Sequence, residues 1–147
     1  MTSVRIALAG LALLAAACSH DTTTPSTTSA SSTTTTPVTT PTTSEPFAST
    51  LTVGGAAFYS FNIAANGTVN VTLNSVSGAG VPATVQLGLG IGTPAGTDCA
   101  TTASVTAAAG TAPQLTGTYG PGLFCVRVYD VGNLSNTAAF RVTIAHS

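Results

Sequence analysis

From about residue 47 to its end, the chain alternates apolar and polar positions with the period of two that marks half-buried strands. In AAFYSFNIAANG, Tyr59, Phe61 and Ile63 fall on one face and Phe58, Ser60 and Asn62 on the other. TVNVTLNSV repeats the pattern with Val69, Val71 and Leu73, and TVQLGLGIG with Val85, Leu87, Leu89 and Ile91. GLFCVRVYD and AAFRVTIAHS add Phe124, Val126 and Val128, then Phe140, Val142 and Ile144. Shorter strands are expected around Leu51 and Val53, residues 103–107 and Leu115. No window shows a convincing helical period, and Asn66-Gly67 reads as a two-residue hairpin turn, whose central positions need positive φ.

Six to eight short strands, each with one apolar face, bury those faces only by packing sheet on sheet. The expected fold is therefore an all-β, jelly-roll or Greek-key β-sandwich over residues 47–147. Its expected core is Tyr59, Phe61, Ile63, Val69, Val71, Leu73, Leu87, Leu89, Phe124, Val126, Val128, Phe140, Val142 and Ile144.

The segment before this domain has a different composition. Residues 19–46 hold 19 Ser or Thr and 4 Pro among 28 residues, with almost nothing apolar to bury, and are expected to be disordered. Extended as polyproline II at ~3.1 Å per residue, such a stalk reaches at most roughly 85 Å. His20 and Asp21 read as solvated linker residues. Upstream, residues 6–17 form a 12-residue apolar run, shorter than the ~20 a spanning helix needs. With Arg5 before it and small residues after it, residues 1–17 read as a secretory signal.

The run ends in LLAAACS, which resembles the lipobox of bacterial lipoproteins, with Ala15 where Leu is usual and Leu14 one place earlier. The resemblance implies cleavage before Cys18 and acylation of its thiol; the alternative is an ordinary signal peptide with a cysteine near its end. Two or more acyl chains anchor stably where one is marginal. The implied address is the bacterial cell envelope, at the outer membrane in a Gram-negative host, since no acidic residue directly follows Cys18.

If Cys18 carries lipid, Cys99 and Cys125 remain, and in an oxidising compartment a leftover pair is normally a disulfide. By alternation Cys125 faces away from Phe124 and Val126, so the bridge is expected across the outside of a sheet. A metal site is the alternative. It needs another ligand, and the domain's one histidine, His146, stands next to the chain end, where fraying is common.

Two segments, GGAAFYSFNIAANGTVNVTLNSV and GTYGPGLFCVRVYDVGNLSNTAAFRVTIAHS, resemble the bacterial pre-peptidase C-terminal (PPC) domain. Tyr59, Phe61, Ile63, Gly67, Gly122, Phe124, Val126 and Val128 match its strand and turn pattern. The resemblance implies a jelly-roll-like sandwich on exported proteins and no catalytic residue. Calcium-binding relatives use acidic loops, whereas this domain offers only Asp98 and Asp130 as weak metal candidates.

The ionic inventory narrows the chemistry further. Arg5, Arg127 and Arg141 stand against Asp21, Glu45, Asp98 and Asp130, with no lysine, which gives no footprint for nucleic acid. A catalytic triad lacks a base other than His146, and Asp98 and Asp130 sit in turn contexts where Asp ordinarily caps a loop. GIGTPA fits a dinucleotide fingerprint only formally, because no helix follows it. Gly88, Gly90 and Gly92 instead flatten the outer face of a strand, a strip open to a close partner backbone. Arg127 and Tyr129, with Tyr119, form the candidate binding surface; the bland alternative packs Tyr129 on the disulfide and pairs Arg127 with Asp130.

The expected function is a non-catalytic, lipid-anchored envelope protein presenting a structural or binding module, with no cofactor. Its partners are the membrane and a cell-surface polymer or protein. Carbohydrate or matrix-polymer binding is the runner-up, and hydrolysis comes last.

Overall fold

The computed structural model of the protein describes residues 40–147. The signal, Cys18 and the stalk up to residue 39 lie outside the described residues. Eight strands follow in order: β1 (Thr43–Leu51), β2 (Ala56–Ile63), β3 (Gly67–Ser77), β4 (Gln86–Ala95), β5 (Asp98–Ala108), β6 (Leu115–Tyr119), β7 (Gly122–Asp130) and β8 (Ala138–His146). They form two antiparallel four-stranded sheets, β1-β8-β3-β6 and β2-β7-β4-β5. That order is a jelly roll, the all-β solution expected from the alternation.

The expected core is where the sheets meet. Leu73, Leu87, Leu89, Val71, Val126, Val128, Val142 and Ile144 are fully buried, and Phe61, Ile63, Val69 and Phe140 nearly so. Tyr59 and Phe124 are half-buried and pack against them. Phe47, Leu51, Val85 and Ile91 complete the interior, whereas Val53 lies beyond the end of β1 and is exposed.

Two expectations about the chain path are corrected. Asn66-Gly67 closes no hairpin: β2 and β3 belong to different sheets, and Gly67 is not among the positive-φ glycines. Strands whose apolar faces must oppose each other across a core cannot also lie side by side, so burial overrides the local turn signal. Among the described connections only β4 to β5 stays within a sheet, through Gly96-Thr97 with Gly96 at φ 62°. The ordered domain also starts earlier than residue 47. Residues 43–46, read as the end of the stalk, pair with residues 143–146 of β8. A polar segment can still satisfy its backbone on a sheet edge, and an edge tolerates Pro46 because proline need not donate there.

Candidate functional site

The disulfide organises the outer face of the β2-β7-β4-β5 sheet. Cys125 on β7 and Cys99 at the start of β5 are bonded, although β4 lies between those strands. Strands two apart are ordinarily ~9.5 Å from one another. Here the Cα atoms are 5.9 Å apart, so the tip of the β4–β5 hairpin curls over the sheet. The β-bulge between Ile91 and Gly92 bends the hairpin at this point. A Cβ on Gly92 would collide with the Ala100 carbonyl, so glycine is what lets β5 close down. The bridge expected on the outside is therefore covered: Cys125 is 0% and Cys99 3% exposed.

Neighbours on β7 and β5 fill the strip of glycines. The Tyr129 ring lies over Gly88, the Thr101 methyl over Gly90 and the Ala100 backbone over Gly92. The close backbone that this strip was expected to admit is the chain's own β5.

Beside the hairpin tip, Arg127 Nε lies 3.4 Å from Asp98 Oδ1, close enough for an ion pair but without hydrogen-bond alignment. Asp98 Oδ1 accepts the Cys99 N–H at 2.7 Å. The Arg127 guanidinium sits 5.4 Å from the centroid of the Tyr129 ring. Arg127 thus pairs with Asp98 rather than Asp130, and the Tyr129 ring lies over Gly88 near Arg127. Gly88 and Arg127 both lie close to the Tyr129 ring. Exposed ion pairs contribute ~0–1 kcal/mol, so Asp98 positions Arg127 more than it stabilises the fold. Ala57, Phe58, Thr97, Asp98 and Arg127 border an open depression of about 470 Å³.

Tyr119 does not join this surface. It lies on β6 in the other sheet, its ring 5.2 Å from Phe124 and packed against the core, and burial raises its phenol above the ordinary 10.0. Asp98 and Asp130 are not brought together either. Asp130 accepts the backbone N–H groups of Gly54 (2.8 Å), Gly132 (2.9 Å), Asn133 (2.9 Å) and Leu134 (3.1 Å). These bonds, that from Gly54 foremost, hold its carboxyl below the ordinary 3.8 and engage both oxygens in tying two loops. Among the described residues no group of three or more His, Cys, Asp or Glu is placed to hold a metal ion.

The polar cluster that sequence reasoning missed lies between the sheets. Glu45 of β1 accepts the Tyr59 hydroxyl at 2.6 Å through Oε2, and its Oε1 lies 2.9 Å from His146 Nε2. Tyr59 belongs to the opposite sheet, so one carboxylate joins both layers. His146 is 3% exposed, its ring 5.1 Å from that of Phe61, and Ser147 beyond it is hydrogen-bonded. Ser147 accepts the Ala64 N–H and donates its hydroxyl to the Ala65 carbonyl. The signal was parity: Glu45 shares the inward face of Phe47 and Leu51, and His146 that of Val142 and Ile144. His146 Nδ1 faces the Ser147 carbonyl at 3.3 Å rather than a nucleophile, so the cluster acts as a clasp.

Glu45 is held below the ordinary 4.5, chiefly by the Tyr59 hydrogen bond, with the buried His146 adding to the effect. A lowered carboxyl contributes stability that is complete above its unfolded value and lost as the pH falls through the folded one. Glu45 and Asp130 therefore both predict a denaturant midpoint that is flat near neutrality and falls as the pH drops below about 4.5. In Asp130→Asn the acid slope should be shallower. An unchanged slope would deny the aspartate this role.

No family model and no curated protein matches the chain. Among solved structures it is similar to the Yersinia pseudotuberculosis-derived mitogen, with TM-score 0.48 and 10% identity over 73% of this chain and 87% of that one.

Proposed function

We propose that the protein is an exported envelope lipoprotein. In this reading Cys18 carries the lipid anchor, the Ser/Thr/Pro segment is a stalk, and the β-sandwich is a non-catalytic structural or binding module. The observation that carries the proposal is the buried Cys99–Cys125 disulfide. It suits an oxidising compartment and occupies two of the three cysteines, leaving Cys18 beside the apolar run. The jelly-roll order is compatible with the PPC-like module the sequence resembles. No helix among the described residues is long and apolar enough to cross a membrane.

The non-catalytic part draws on where the candidate chemistry went. Asp130 is engaged by backbone, Asp98 by Arg127, and His146 by the clasp. In cells fed a palmitate analogue, the wild-type chain should be labelled and Cys18→Ala should not. Label retained in Cys18→Ala would remove the anchor from the proposal.

A further inference from the structure

The outer face of the β1-β8-β3-β6 sheet carries a cation with nothing to pair with. Arg141 projects from β8 and makes no ion pair or hydrogen bond among the described residues; the other described arginine, Arg127, has Asp98. An opposite charge directly across the strands would stabilise such a residue. The positions directly opposite Arg141 are Ala48 on β1 and Ser75 on β3, both short.

The β3 backbone is adjusted to produce this arrangement. Val69, Val71 and Leu73 point into the core, so strict alternation would send Ser75 and Ser77 inward as well. The β-bulge between Leu73 and Ser75 reverses the parity. It turns Val76 toward the core and leaves Ser75 and Ser77 exposed beside Arg141. Bulges recur where a strand re-aims side chains for a purpose. With Thr50 on the far side, these hydroxyls and Arg141 line an open groove of about 390 Å³.

From this geometry we infer that the groove binds an acidic polysaccharide, with Arg141 taking a carboxylate or phosphate oxyanion and the flanking hydroxyls taking sugar hydroxyls. A guanidinium offers paired N–H donors that match an oxyanion's fork, and serine and threonine both donate and accept. The absence of an acid beside Arg141 leaves that fork available. The inference rests on the binding-module part of the proposed function and moves the contact surface from Arg127 and Tyr129 to the opposite sheet.

The test is an NMR titration of the full-length chain, following the arginine Nε–H signals. The probes are oligogalacturonate, a neutral dextran oligosaccharide of equal length, and inorganic phosphate. Oligogalacturonate should shift Arg141 saturably and at least about tenfold more tightly than dextran, leaving Arg127 unmoved. Arg141→Gln, at an exposed position, should keep the wild-type thermal midpoint and lose the saturable shift. Competition by phosphate would mark the oxyanion as the recognised group; no competition would assign the carboxylate specifically. Equal response to dextran, or no response at Arg141, would overturn the inference. A response confined to Arg127 would overturn this groove while leaving the module a polymer binder. The palmitate labelling of Arg141→Gln is expected to be unchanged in every case, which separates this site from the anchor.

Discussion

Replacing Cys99 and Cys125 together by alanine is expected to cost about 3.5 kcal/mol, the loop-closure entropy of a 26-residue separation. The single cost hides two effects. Globally, the unfolded chain gains freedom. Locally, the bridge holds the β4–β5 tip over β7, where Asp98 meets Arg127 and the Ala100 carbonyl crowds Gly92. Without it, the tip should open and the sites around residues 96–100 should become sensitive to protease before the domain unfolds. Urea denaturation gives the first number and limited proteolysis the second. A loss below ~1 kcal/mol with an unaltered cleavage pattern would mean that the bulge and Gly92 set the curl by themselves.

Glu45→Ala should be the most damaging single change to a residue outside the apolar core, costing about 2–3 kcal/mol. Its carboxylate joins a phenol on one sheet to a buried imidazole on the other. Removing it leaves the buried His146 Nε2 without its partner, and an unsatisfied buried polar group costs ~1–3 kcal/mol. Tyr59→Phe should cost less, ~1 kcal/mol, since the ring keeps its stacking on Phe47 at 5.6 Å and only one hydrogen bond is lost. The Glu45→Ala and His146→Ala effects should not add, because both remove the same contact. Full additivity in a double-mutant cycle, or a Glu45→Ala loss under 0.5 kcal/mol, would show that β1 is held by its ladder to β8 alone.

The apolar alternation was enough to reach the sandwich and most of its interior, because period-two burial is a property of each strand by itself. Which strands neighbour each other is not. Asn66-Gly67 carries a strong local hairpin signal, yet the partners of β2 and β3 are chosen by distant strands competing for the same core. Composition hid β1 in the same way: Thr43, Ser44, Glu45 and Pro46 look like stalk, and only pairing with β8 reveals them as sheet. The candidate site suffered most from charge being read without parity. Asp130 is only three residues after Arg127, but their side chains leave opposite faces of β7, so Arg127 meets Asp98 from another strand. Glu45 and His146 are 101 residues apart, and the inward parity of each was the only trace of their contact. The Leu73/Ser75 bulge did leave a trace, the step of three from Leu73 to Val76 where the alternation demands two.

The central proposal is that Cys18, the cysteine outside the Cys99–Cys125 bond, carries a lipid from which the domain is displayed. The most direct measurement is the intact mass and N-terminal fragment spectrum of the protein isolated from cell envelopes. The expected chain begins at Cys18, carries the mass of a diacylglyceryl group or more on its first residue, and lacks two hydrogens for the Cys99–Cys125 bond. A mature chain that begins elsewhere, or begins at Cys18 with no acyl mass, would contradict it.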